Sequence, residues 1–182
     1  MNIKLRRLVE SDLERVMEWR MKPEVTKWMY TDPKLTMEKQ ISWYNSIKTS
    51  QDDMYWIIEV DNTPVGLMNI KHIDYKDSKC SWGYYVGEQK YKSLKLALTL
   101  EWNLYDYVFD VLKLNYLNNE VLGINKGVIA LHKQCGSRVV GVDESAVEKN
   151  GEKYDVVNMT ISKTEWMTRR DKITYEKVVF ED

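Results

Sequence analysis

Cys80-Ser81-Trp82-Gly83-Tyr84-Tyr85-Val86-Gly87-Glu88-Gln89-Lys90-Tyr91-Lys92-Ser93-Leu94-Lys95-Leu96-Ala97-Leu98 reads as a β-strand, a short basic turn and the start of a long apolar helix. A strand that feeds a helix N-terminus leaves several backbone N–H groups without intrahelical partners, all pointing one way. The helix dipole adds to them and makes the joint a ready site for phosphate. Taken alone, the stretch fits a plain strand-to-helix connection equally well. The rest of the chain decides between the two.

On either side, the elements follow in a regular order. Residues 2–8 alternate apolar and polar, as a half-buried strand does. Ser11 followed by Glu14 predicts a capping box, and Leu13, Val16, Met17 and Trp19 predict a helix that ends before Pro23. Trp28-Met29-Tyr30 lies in an irregular segment, and Thr36 predicts the cap of a second helix bearing Met37, Ile41, Trp43, Tyr44 and Ile47. Met54–Val60 and Val65–His72 predict a hairpin about the Asp61–Pro64 turn. The strand Cys80–Val86 is next, followed by an apolar helix over about 94–112. Leu117–Leu122 predicts another strand, and Val128–Cys135 a short helix that Gly136 ends. Ser137–Val142 and Tyr154–Ser162 predict two last strands around the Asn150-Gly151 turn. The charged tail from Lys163 fits a helix, an added strand or a homodimer contact. The expectation is one α+β domain over residues 1–182, with 163–182 as an extension.

Bulk composition narrows the function classes. The 182 residues suffice for one sizeable core. The 27 basic and 28 acidic residues nearly cancel, which argues against a nucleic-acid footprint. Apolar runs stop well short of the ~18 residues that a membrane span needs, and no signal pattern opens the chain, so no membrane partner is expected. Cys80 and Cys135 lack metal or redox spacing, and His72 and His132 are the only histidines, so no metal site is expected. A reduced, cytoplasmic protein is the simplest fit. The 7 Trp and 12 Tyr suit ring-stacking pockets as well as cores.

Two further stretches carry a resemblance. Lys92-Ser93-Leu94-Lys95-Leu96-Ala97 is similar to the Arg/Gln-x-x-Gly-x-Gly/Ala signature of the GNAT acetyltransferase superfamily, with Lys95 at a glycine position. Asn125–Gly136 is similar to that superfamily's Asn-x-x-Ala-x-x-Leu-Tyr-x-x-x-Gly-Phe, with His132 in the tyrosine position. The resemblance extends over residues 2–162 and implies a GNAT-like fold: a mixed, largely antiparallel central sheet flanked by helices. It implies acetyl-CoA as cosubstrate and N-acetyltransferase activity. Trp19-Arg20-Met21-Lys22-Pro23, then Trp28-Met29-Tyr30, then Glu120-Val121 five residues before Asn125, most resemble the N-acetyltransferases of pseudaminic acid biosynthesis. Those enzymes acetylate the 4-amino group of a UDP-linked amino-dideoxy sugar, so a small amino-sugar nucleotide is the expected partner. Ribosomal-protein and polyamine acetyltransferases are the enzyme alternatives, and a non-catalytic acyl-CoA-binding module is the third.

Acetyl transfer to an amine needs a base, oxyanion stabilisation and a proton for the leaving thiolate. The resemblance implies backbone N–H donors near Tyr84, Tyr85 and Val86. Cofactor contacts are expected from Lys90, Lys92, Ser93, Leu94, Lys95, Leu96, Ala97 and Asn125. Glu120 is the expected base and His132 the expected proton donor, although each also fits an ordinary strand-end or helix-rim polar residue. Ser81 stands where many relatives carry a glutamate, and is expected at most to hold a water. Arg20, Trp28, Met29, Tyr30 and Trp43 are expected on the acceptor side; Trp43 fits the core equally well.

Overall fold

The structure is a computed structural model and describes Met1–Glu181. Eight strands form one sheet: β1 (Ile3–Arg7), β2 (Met54–Val60), β3 (Thr63–Asp74), β4 (Lys79–Val86), β5 (Tyr116–Leu122), β6 (Arg138–Lys149), β7 (Glu152–Ser162) and β8 (Val179–Phe180). Their order is β6-β7-β5-β4-β3-β2-β1-β8. Only β4–β5 and β1–β8 run parallel; the other neighbours are antiparallel. The helices are α1 (Leu13–Met21), α2 (Pro23–Thr26), α3 (Met37–Ile47), α4 (Leu94–Asp106), α5 (Lys126–Cys135) and α6 (Lys163–Arg170). The fold is the mixed α+β sheet flanked by helices that the resemblance implied.

Strand alternation sorts the core onto two faces. Trp56, Ile58 and Val60 of β2 join a cluster with Leu100, Leu104 and Phe109 below α4 and with Trp166 of α6. Their neighbours Tyr55 and Ile57 point the other way, against Val16 and Trp19 of α1. Helices thus cover both faces, which explains why β2 is apolar at nearly every position.

Local expectations differ from the structure in three places. α1 starts at Leu13 after a 3-10 turn over Glu10–Asp12, and the cap is not Ser11. The Asp12 carboxylate accepts the Val9 N–H at 3.1 Å and a forked pair of bonds from Arg6 at 2.8 and 2.9 Å. That bidentate, charge-assisted geometry outcompetes a lone serine hydroxyl. The expected helix over 94–112 is α4 followed by a wider π turn, Tyr107–Val111. This turn presents Tyr107 to Phe180, ring on ring at 4.5 Å, and to Trp56 at 5.4 Å. β6 continues past Val142 to Lys149, so the last hairpin is longer than its apolar core suggests. The tail forms α6 with a capping box from Ser162 and Glu165, then adds β8 beside β1. Among the described residues no helix is long and apolar enough to cross a membrane.

Candidate active site

β4 and β5 pair only from Lys79↔Tyr116 to Ser81↔Asn118. Beyond Ser81 the strands part, although β4 stays paired with β3 as far as Val86↔Gly66. The main-chain edge of β4 facing β5 is therefore open along Trp82–Val86. A cleft of about 970 Å³ enters this fork and runs between α4, α5 and the α1–α3 region. Such a fork forces two parallel strands to stop sharing hydrogen bonds while each keeps its other neighbour.

The fork contains buried polar atoms without partners among the described residues: Trp82 Nε1 from β4 and Asn119 Oδ1 from β5. Both residues line the cleft, as does Tyr85, whose buried hydroxyl also lacks a partner. Burial pushes the Tyr85 hydroxyl well above the ordinary tyrosine range, so it stays a neutral donor. Orphaned buried polar groups are costly and mark a place where another molecule's amides or carbonyls complete the bonding.

At the mouth, Ser93 caps α4: its Oγ accepts the Leu96 N–H at 3.1 Å. Lys92, Ser93, Leu94, Leu96 and Ala97 line the cleft, with the orphan N–H groups of the first helical turn between them. Burial and the neighbouring Lys27 both lower Lys92 from its usual value. A cation in that position gains from an incoming anion. Across the fork, Asn125 caps α5 by accepting the Val128 N–H at 3.4 Å, and a side chain added at Gly127 would meet nothing within 4 Å. Tyr84, Tyr85 and Val86 lie along the cleft as well.

Two expected phosphate contacts lie elsewhere. Lys95 turns toward the C-terminal segment and pairs with Glu176 at 3.2 Å, outside the cleft lining. Lys90 sits over the Tyr91 ring, 5.1 Å from its centroid, and does not line the cleft either. Lys92 is the lysine of the turn that reaches it. Ser81 lies at the last paired rung, between Lys71 and Asn118, behind the fork rather than in it.

Of the residues expected on the acceptor side, Arg20, Trp28, Met29 and Trp43 line the cleft. Arg20 donates to the Thr31 carbonyl at 3.3 Å and to its hydroxyl at 3.1 Å, and burial lowers its guanidinium from the usual value. Trp43 serves both core and cleft: its ring meets Tyr55 edge-on at 5.2 Å beside the α1 cluster. Tyr30 stands behind the wall and donates its hydroxyl to Glu120 Oε2 at 2.7 Å. Glu120 itself lines the cleft, as does His132, which is buried rather than on a rim.

Functional neighbours invisible in linear sequence join these residues. Glu101 of α4, wholly buried, meets His132 Nδ1 at 2.9 Å. The signal in the sequence is an acid set among Leu96, Leu100, Leu104 and Tyr105 on an apolar helix. Lys149, at the end of β6, donates to the carbonyls of Thr26 at 2.7 Å and Met29 at 3.3 Å and pairs with Asp32. The last hairpin thereby clamps the segment that presents Trp28 and Met29. Its signal was hidden, because nothing local distinguishes Lys149 from a solvated lysine. Among the described residues no His, Cys, Asp and Glu cluster could hold a metal.

A parted pair of parallel strands, a capped helix N-terminus at the mouth and buried unpartnered polar atoms in the fork suit an acyl-CoA-dependent transferase. The chain matches the acetyltransferase (GNAT) domain over residues 2–138 and belongs to that family. It is an acetyl-CoA-dependent N-acetyltransferase. Among solved structures it is similar to spermidine N-acetyltransferase from Vibrio cholerae in complex with CoA and spermine, with a TM-score of 0.85 at 20% identity over 91% of this chain and 98% of that one. A chimera of the spermidine N-acetyltransferase from Vibrio cholerae and hSSAT gives a TM-score of 0.86 at 20% identity, over 93% and 100%. At that identity the likeness is one of fold. No curated protein is significantly similar in sequence.

These matches overturn the resemblance to the pseudaminic acid enzymes and the amino-sugar nucleotide expected with it. The geometry explains why that motif misled. Lys22 does not face the cleft; it donates to the Gly87 carbonyl at 3.0 Å and pairs with Glu88. Met21 turns its sulfur to the Leu35 N–H. The Trp19–Pro23 segment buttresses the β4–α4 turn, and a spacing kept for packing looks the same in sequence as one kept for a ligand.

Proposed function

We propose that the protein acetylates a primary amine of the polyamine class. The observation that carries the reading is the pair of carboxylates, Glu24 and Glu120, that separate elements bring to one cleft beside the aromatic faces of Trp28, Trp43 and Tyr55. Carboxylates with aromatic rings are what a flexible chain of ammonium groups needs, since both attract cation charge. The likeness of fold to spermidine acetyltransferases supports the same class.

Acetyl-CoA supplies the activated acyl carbon. The chain's own residues do the rest. Lys92 and the α4 N-terminus hold phosphate; the open edge of β4 supplies N–H groups for the negative charge that develops on the carbonyl oxygen. Glu120, oriented by the Tyr30 hydroxyl, takes the proton of the attacking amine, directly or through a water. The ammonium first gives one proton to solvent; as the C–N bond forms and the C–S bond breaks, Glu120 takes the second, His132 gives one to sulfur, and both side chains then re-equilibrate with solvent, so protons balance. The reading places the reaction in the cytoplasm, in keeping with two free, buried thiols.

The test is incubation with acetyl-CoA and either spermidine or spermine, following free thiol and the mass of the amine product. Polyamine-dependent thiol release that falls roughly 10²- to 10⁴-fold in Glu120→Gln is the expected result. Thiol release that no polyamine accelerates overturns the acceptor assignment.

A further inference from the structure

The Glu101–His132 contact does more than fill the core. Glu101 has no exposed surface, and two groups converge on its Oε1: the Tyr105 hydroxyl at 2.5 Å and His132 Nδ1 at 2.9 Å. Its other oxygen, Oε2, is buried without a hydrogen-bond partner. A carboxylate buried in this way is expensive and adds nothing to packing that glutamine or leucine would not supply. His132 is walled in by Trp82, ring to ring at 5.2 Å, yet forms part of the cleft surface. With Nδ1 turned inward onto Glu101, the ring nitrogen left for the cleft is Nε2.

We propose that Glu101 is a positioning residue for His132: by holding the Nδ1 proton, it makes Nε2 the one imidazole atom that exchanges a proton with the reacting groups. The inference rests on the proton-donor role given to His132 above. Which nitrogen of a histidine carries the fixed proton is set by the hydrogen bond made at the other side of the ring. A carboxylate at Nδ1 also compensates the positive charge when Nε2 is protonated, as in other carboxylate–histidine pairs. The step balances simply. Nε2–H gives its proton to the sulfur that leaves the acetyl carbon, and Nε2 regains one from solvent, while the amine's proton departs through Glu120.

The other groups around the pair are suited to leaving that proton alone. Tyr105 also touches Ser137 Oγ at 3.1 Å. Burial first, and the Glu101 charge second, hold the hydroxyls of Tyr105 and of Tyr84 on β4 far above their ordinary range. The Cys135 thiol of α5 is likewise pushed up by burial and by Glu101, with Arg169 of α6 opposing. None of these hydroxyls or the thiol is a competing acid near neutrality, which leaves the imidazole as the group of the cluster placed to pass a proton to the cleft.

Two measurements test the assignment. Ring-nitrogen NMR on the whole protein with isotope-labelled histidine reads the tautomer directly, because there are two histidines and His72→Gln, at an exposed position, removes the other signal. The expected result is an Nδ1–H tautomer at His132 at alkaline pH, and a dominant Nε2–H form there overturns the proposal. This reading needs no acceptor, so it stands even where polyamines prove not to be substrates. In turnover, Glu101→Gln should lower kcat roughly 10- to 100-fold, part of what a positioned acid contributes, with KM for acetyl-CoA unchanged. In a His132→Gln background, the same change should cost nothing further. An equal loss in both backgrounds marks Glu101 as merely structural and refutes the coupling.

Discussion

Gly87→Ala puts a methyl group where the structure has no room for one. Gly87 follows β4 and opens the turn that leads to Ser93. A Cβ built there lies 2.2 Å from Trp19 Cγ and 2.4–2.5 Å from its neighbours in the ring. Trp19 cannot easily give way: it is 1% exposed and its Nε1 donates to Glu88 Oε1 at 2.6 Å. Forcing a methyl into a packed core costs about 1–3 kcal/mol, and losing the Trp19–Glu88 bond adds about 1 kcal/mol. For a chain of this size, each kcal/mol lowers Tm by about 2–4 °C, so a fall of about 4–16 °C is expected. Since the same turn sets Lys92 and Ser93, KM for acetyl-CoA should rise as well. Thermal denaturation of the variant, alone and combined with Trp19→Leu, is the assay. In the leucine background the methyl should cost much less, because the clash partner is gone. An unchanged Tm in Gly87→Ala, or the same loss in both backgrounds, refutes the reasoning.

Two further outcomes are expected. Burial works to raise the Asp106 carboxyl, but hydrogen bonds from Lys177, Tyr175, Arg170 and Trp166 outweigh it and hold the carboxyl below its ordinary value. Its stabilising share is therefore full above the unfolded value of about 3.9 and is lost as pH falls through the lower folded one. Tm measured against pH should drop in that acid range, and Asp106→Asn should lower Tm at neutral pH and flatten the drop. Ser93→Ala removes the α4 cap and should cost about 1 kcal/mol, read as a fall in Tm of about 2–4 °C together with weaker acetyl-CoA binding by calorimetry.

What was legible in the sequence follows from which forces are local. The strand Met54–Val60, the cap at Thr36 and the stop at Gly136 depend on neighbours within a few residues, and each lies where it was expected. The start of α1 was not legible, because Arg6 reaches Asp12 from a strand. Nor was the tail, whose Trp166 is held by Asp106 at 3.0 Å from another helix.

The cleft divides the same way. Element order and the family resemblance carried by the motifs were enough to imply the fold and the acetyl-CoA-dependent chemistry, and to single out the stretch Cys80–Leu98 as a candidate cofactor site. They could not determine which lysine of that stretch faces the fork, since Lys92 and Lys95 are chemically alike and only the packing of the C-terminal segment draws Lys95 to Glu176. They could not separate a ligand contact from a brace at Lys22, nor join Glu24 to Glu120 or Glu101 to His132. Those pairs are far apart in sequence, and a charge acquires its role from what the folded chain sets beside it and from how much water it excludes.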